Sequence, residues 1–293
     1  MDKNGSPAIT ANRLVHFIHI AKTGGPTMEG ILERQYGPDA LFYSRWGRQY
    51  EGPRGRPIGV FLKSREPSVP GQIHYPELLE DVARRFEELS GEARDRTRLI
   101  YGKNLEFGLA DLLPDLLDYF TILRDPVDRV LSQYFFTVDP ATRPSHVSLF
   151  EHIAAHVQPN MQTLMLSGPH GLNPPPEPAV MLAKAKENLE ACTVVGLTEH
   201  FGETVLLLAK AFGWSEVRYA RRKVNQARPR MAEISRDVIL RLAADNELDV
   251  ELYRFGQALF RKELEAYGSG FRQDMDELGR RNLAYRSRKA AKH

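Results

Sequence analysis

The chain is 293 residues long and 42% hydrophobic, enough for one large α/β domain or two small ones with a full core. Its 40 Lys and Arg stand against 38 Asp and Glu, and a net charge of +2 excludes a global field for nucleic acid or membrane surfaces. A single cysteine, Cys192, excludes an intramolecular disulfide and argues against a thiolate metal centre.

The N-terminus MDKNGSPAIT is polar, and no apolar run approaches the roughly 18 residues that a transmembrane segment needs. The expectation is a soluble, cytoplasmic protein, although a removed anchor would leave no trace. Leu14 to Ile20 then forms an apolar, β-prone run. It passes through Lys-Thr-Gly-Gly into a segment whose spacing of Met28, Ile31, Leu32 and Gln35 predicts a helix after Pro26. A glycine turn that feeds a helix presents unpaired N–H groups and the positive end of the helix dipole, which is a place to hold an anion. Gly24 and Gly25 allow close approach of backbone, Lys22 offers a point charge, and Thr23 and Thr27 offer hydroxyls. The pattern GxxxxGK[ST] is absent, so this is not the ordinary nucleoside-triphosphatase signature. A tight turn with a snorkelling lysine is the structural alternative.

Residues 44 to 76 are rich in Arg, Gly and Pro and read as long loops with a short strand at 58 to 62. Arg45, Arg48, Arg54 and Arg56, with Trp46 and Tyr50, suit either an acceptor groove or a surface loop. A helix over 76 to 89, a strand over 98 to 101, a helical turn or two over 109 to 117 and an apolar strand over 119 to 123 follow. In RDPVDRVLSQYFF, Asp125 is an N-cap and Pro126 a first-turn proline ahead of a helix carrying Val127, Val130, Leu131 and Tyr134. Arg124 therefore emerges directly after a buried strand, at the carboxyl edge where parallel sheets bind ligands, with Ser132 two turns further on. The alternative pairs Arg124 with Asp128 or Asp125 and leaves Ser132 on a plain helix surface. Two such corners suit a ligand with separated anionic groups.

Residues 168 to 178 form a loop, 194 to 197 a strand, 198 to 212 a helix closed by Gly213, and 246 to 260 a further helix. The basic run RYARRKVNQARPR, 218 to 230, either closes over an anionic ligand or is a solvated loop. His152 and His156 have helical spacing but no third ligand in sequence, so no metal site is expected. The C-terminus RRNLAYRSRKAAKH, the end of a basic tail over 271 to 293, is weakly apolar and expected to be exposed or frayed. With no repeat and no domain boundary, the alternation of elements predicts an α/β fold with a mainly parallel sheet flanked by helices.

These corners resemble a known family. HIAKTGGPT is similar to the 5′-phosphosulfate loop, commonly HIPKTGGTS, of the membrane-associated and bacterial carbohydrate-type sulfotransferases that use 3′-phosphoadenosine 5′-phosphosulfate (PAPS). LRDPVDRVLSQY resembles their 3′-phosphate motif, RDPxxRxxSxY. VVGLTEHFGETVLLLAKAFGW and NELDVELYRFGQALF are similar to C-terminal helices of the branch with uronyl and heparan 2-O-sulfotransferases. The likeness covers about residues 14 to 262, with the middle loops unmatched. It implies a P-loop-NTPase-like sulfotransferase fold as a single domain over 1 to 293. It also implies metal-free transfer of a sulfuryl group from PAPS to an acceptor hydroxyl, on a carbohydrate, with 3′-phosphoadenosine 5′-phosphate (PAP) as product.

By the same resemblance Lys22 contacts the phosphosulfate and its leaving oxygen, Thr23, Gly24, Gly25 and Thr27 cradle the 5′ end, and Arg124 and Ser132 hold the 3′-phosphate. Two departures stand out. Pro26 replaces a threonine and removes one N–H and one hydroxyl from the anion site. Where relatives carry Gly-His and use the histidine as base, this chain has Gly102-Lys103. Lysine titrates near about 10.4 against about 6.5 for histidine, so Lys103 serves as a base only if its surroundings depress it. Glu106 is the next candidate, and His19 and His74 are further ones. A small-molecule or lipid hydroxyl as acceptor, a binding module without turnover, and a nucleotide kinase with an unusual phosphate loop are the competing readings.

Overall fold

The computed structural model describes residues 14–37, 40–46, 61–62, 76–103, 105–113, 117–168, 177–220 and 228–290. Strand β1 (Leu14–His19) turns into helix α1 (Gly25–Tyr36), and strands β2 (Leu41–Trp46) and β3 (Phe61–Leu62) follow. Helices α2 (Pro76–Glu87) and α3 (Gly91–Arg96) lead to strand β4 (Leu99–Lys103), the short helix α4 (Leu109–Leu112) and strand β5 (Leu117–Leu123). Helices α5 (Pro126–Thr137), α6 (Leu149–His156), α7 (Met161–Ser167) and α8 (Pro178–Glu190) precede strand β6 (Val194–Leu197). Helices α9 (Phe201–Phe212), α10 (Arg236–Asp245), α11 (Glu247–Tyr267) and α12 (Phe271–Ala290) complete the chain.

The strands form one sheet in the order β3-β2-β4-β1-β5-β6, and every pairing is parallel. Successive strand residues face opposite sides of a sheet, so the burial of all six residues of β1 means that both faces are covered. Hydrophobic side chains of β1, β5, β6, α1, α9 and α11 form the main core, among them Phe17, Ile18, Phe120, Ile122, Val195, Leu208 and Leu252. A second cluster packs α2 and α4 on β4 through Val82, Phe86, Ile100 and Leu109, and a third joins α5, α6 and α10.

The order of strands fixes the site. From β1 the chain travels toward β2 on one side, and from β5 it travels toward β6 on the other, although β1 and β5 are neighbours. Their carboxyl ends therefore flank a topological switch point, where open α/β sheets leave a crevice. Both strand-to-helix corners read from sequence open at that one place.

Three expectations need correcting. Residues 44 to 46 belong to β2 rather than to a loop. The C-terminal tail is mostly exposed, as expected, but helical rather than frayed as far as residue 290: α12 is a continuous helix in which Phe271, Met275, Leu278, Asn282 and Tyr285 make a stripe one residue wide, with Leu278 and Asn282 buried. Asn282 Oδ1 accepts the Tyr219 N–H at 2.6 Å, and that polar member interrupts the apolar signal that would have marked the helix. Helices α3, α6, α7, α8 and α10 also lie in segments that sequence left without an assigned helix. Among the described residues no helix is long and apolar enough to cross a membrane.

Candidate functional site

The first corner is a strained turn. Lys22 has φ 74°, a left-handed value that a residue with a side chain rarely adopts, and Gly24 at φ 88° is the N-cap of α1. Thr23 is buried, and its hydroxyl donates to Ile20 O at 2.9 Å, so that hydrogen braces the turn. Gly25 is required by its neighbour: a Cβ there would fall inside the imidazole ring of His19. His19 is 3% exposed, stacks on Phe17 and lies 3.9 Å from Glu29, the geometry of a packing residue beneath the loop. Within the first turn of α1, Pro26 has no N–H, and the N–H groups of Thr27 and Met28 donate to Gly24 O at 3.0 and 3.1 Å. No acidic residue occupies that turn. The lost donor noted at Pro26 is real, while the helix end keeps its positive field.

At the second corner Asp125 caps α5, its carboxylate accepting the Asp128 N–H at 2.9 Å, with Pro126 in the first turn. Arg124 ties the corners together. Its Nη1 donates to Lys22 O at 2.9 Å, and its Nε donates to Asp128 Oδ2 at 2.7 Å. Its Nη2 pairs with the same carboxylate, whose other oxygen is held by Arg228. Burial alone would raise the Asp128 carboxyl, but the hydrogen bonds and charges of Arg228 and Arg124 outweigh it and hold the group below the usual carboxylate range. The pairing of Arg124 with Asp128 is thus present. It leaves two of the five guanidinium N–H groups for other partners.

The backbone of Arg124 is clamped as well. The amide of Gln162, at the start of α7, accepts the Arg124 N–H and donates to Arg124 O, both at 2.9 Å. Asp249 of α11 in turn holds that end of α7, accepting from Gln162 N at 3.1 Å, Thr163 N at 2.7 Å and Thr163 Oγ1 at 2.8 Å. Arg129, 1% exposed, places its charge near Asp249. On the far side, Glu199 accepts from Asp125 N at 3.0 Å and from Tyr253 Oη at 2.8 Å.

The structure brings Lys22, Thr23, Gly24, Gly25, Thr27 and Arg124 together at the carboxyl edge of the sheet, with Thr23, Gly25 and Thr27 buried, and sets Ser132, half-buried, one turn after Asp128 on α5. Glu106 follows β4 at the same edge and is 1% exposed, so it is a buried carboxylate rather than a solvated one. The backbone of Lys103 pairs with His19 at that edge, and its side chain lies outside the described residues. So do the side chains of Arg45 and Trp46, all of Arg48, Tyr50, Arg54, Arg56 and His74, and residues 169–176 and 221–227. Among the described residues no group of three or more His, Cys, Asp or Glu could hold a metal. His152 instead shares a 2.6 Å hydrogen bond with Tyr134. Sequence reading missed Gln162, Asp249 and Glu199 as supports, and it flagged Arg228 only as one member of a basic run.

A galactose-3-O-sulfotransferase family profile matches residues 66–290. Galactose-3-O-sulfotransferase 3 of Bos taurus is 25% identical over 284 residues, covering 90% of this chain and 60% of its own length. Heparan-sulfate 6-O-sulfotransferase 2 of Gallus gallus is 29% identical over 177 residues, 48% of this chain and 44% of that protein. Heparan-sulfate 6-O-sulfotransferase 1 of Homo sapiens is 26% identical over 182 residues, covering 50% of this chain and 44% of its own length. The chain thus spans less than two thirds of the length of these relatives. With more than half of its residues under the family profile, the chain belongs to the galactose-3-O-sulfotransferase family.

Proposed function

We propose that this chain is a sulfotransferase that moves the sulfuryl group of PAPS to a carbohydrate hydroxyl, in a single domain of P-loop-NTPase-like fold. One observation carries the reading: at the switch point Arg124 donates to Lys22 O, so the lysine-glycine loop and the arginine corner form one cationic crevice with Arg228 beside it. Such a crevice suits a nucleotide with anionic groups at both its 5′ and 3′ ends. Lys22 and the α1 N-terminus would take the phosphosulfate, and the spare N–H groups of Arg124, with Arg228 and Ser132, would take the 3′-phosphate. That second anion distinguishes PAPS from ATP.

In the proposed reaction the acceptor oxygen attacks sulfur in line, the bridging S–O bond breaks, and its electron pair leaves on the phosphate oxygen of PAP. The Lys22 ammonium would stabilise that oxygen, since positioning and charge stabilisation do most of the work in such transfers. Glu106 would take the acceptor proton, and Lys103, as a cation, would hold the sulfuryl oxygens or an anionic acceptor. The bovine relative's name makes the 3-hydroxyl of galactose the first acceptor to test. Incubation with sulfur-labelled PAPS and galactose-terminated oligosaccharides, with chelator present, should give labelled sugar. Transfer of phosphate from ATP with magnesium, and none of sulfate, would overturn the reading in favour of a kinase.

A further inference from the structure

Helix α5 presents Asp128, Ser132 and Phe136 at successive four-residue steps, a stripe that runs about 12 Å along its axis. At its start Asp128 gathers the two arginines of the second corner. At its end stands Phe136, one of the large hydrophobic side chains that remain in water, at 55% exposure. A phenylalanine half in water gains little from burial, so packing does not explain its place. What it touches does: the ammonium of Lys22 lies over its ring, 3.6 Å from the centroid.

We propose that Phe136 is a positioning residue for Lys22. A free lysine side chain samples many rotamers and loses that freedom when it fixes an anion. The negative face of the ring holds the ammonium by a cation–π contact before the anion arrives. The cost of ordering the lysine is thereby met in the ligand-free protein, and the 5′ anion meets a charge already in place. The inference rests on the reading of Lys22 as the 5′-anion residue and deepens it. Because Phe136 is exposed, its replacement leaves the hydrophobic clusters intact.

The test is calorimetric titration of PAP, with no acceptor present, into the wild type, Phe136→Leu, Phe136→Tyr, Lys22→Ala and the Lys22→Ala/Phe136→Leu double variant. Phe136→Leu, which keeps an apolar side chain but removes the π face, should weaken PAP about three- to tenfold. Phe136→Tyr should bind within about twofold of wild type. In the Lys22→Ala background, Phe136→Leu should have no further effect, since the ring acts through the lysine. An equal loss in both backgrounds, or no loss in either, overturns the proposal while PAP binding by the wild type leaves the functional reading standing. If the wild type binds no PAP, the functional reading itself fails and the positioning role falls with it.

Discussion

At Gly25 the chain has no choice of side chain, because the His19 ring fills the space where a Cβ would stand. Gly25→Ala should destabilise the protein by about 1–3 kcal/mol through overpacking and abolish measurable PAP binding. Combining it with His19→Ala should restore much of both, as thermal melting and titration would reveal; a failure of the second change to rescue would place the clash elsewhere. The proposed base makes a separate prediction. Glu106→Gln should lower turnover at least about 100-fold with PAP affinity within about twofold, as expected for general-base catalysis. Retained turnover would return the role to Lys103, in which case Lys103→His should be the more damaging change. The corner residues were legible in sequence because glycines and a charged residue directly after an apolar strand have few structural uses. Glu106 was legible as a candidate, but its burial was not.

Short-range patterns found most of the sheet and its adjoining helices, since β1, β5, β6, α1, α5 and α9 each carry their own cap, proline, glycine or apolar run. The elements that hold the site from behind left no such mark. Gln162 clamps Arg124 from 38 residues away, and Asp249 holds Thr163 from 86 residues away, so neither contact has a periodic or motif signature. Burial pushes the Asp249 carboxyl up, and the Arg129 charge and the donors on α7 pull it back, which makes the carboxylate the pivot of α5, α7 and α11. Asp249→Ala would leave Arg129 buried without its counter-charge, at a cost of about 3–5 kcal/mol. A fall in melting temperature of roughly 10 °C should follow. A change below about 2 °C would show that the network is not what fixes α7.

For the molecule as a whole, buried His16 and half-buried Glu263 tilt stability in opposite directions with pH. Burial in β1 lowers the His16 pKa to about 3, and neither ring nitrogen finds a hydrogen-bond partner among the described residues. Between about pH 6.5 and 3 the unfolded chain therefore binds the extra proton at this residue, and stability falls as the pH falls through that window. Glu263 of α11 behaves in the other sense. Burial raises it to about 7 from 4.5, so its contribution is present below about 4.5 and is lost as the pH rises to about 7. Denaturant melts across pH should show His16→Phe flattening the acid limb and Glu263→Gln removing the loss of stability between about pH 4.5 and 7; unchanged limbs would mean that other groups set the profile. The overall architecture followed from alternating strands and helices, whereas α12 was hidden because its buried stripe is one residue wide and contains Asn282.

The central claim is that one crevice reads both ends of a 3′-phosphorylated nucleotide. Calorimetric titration of the purified protein with PAP, and with ADP and ATP as controls, tests it most directly, with Arg124→Ala and Ser132→Ala alongside. The account predicts clear preference for PAP in the wild type. It also predicts that each substitution removes about 10-fold or more of PAP affinity while hardly changing the weaker binding of ADP. Equal affinity for PAP and ADP, or equal losses for both on substitution, would contradict it.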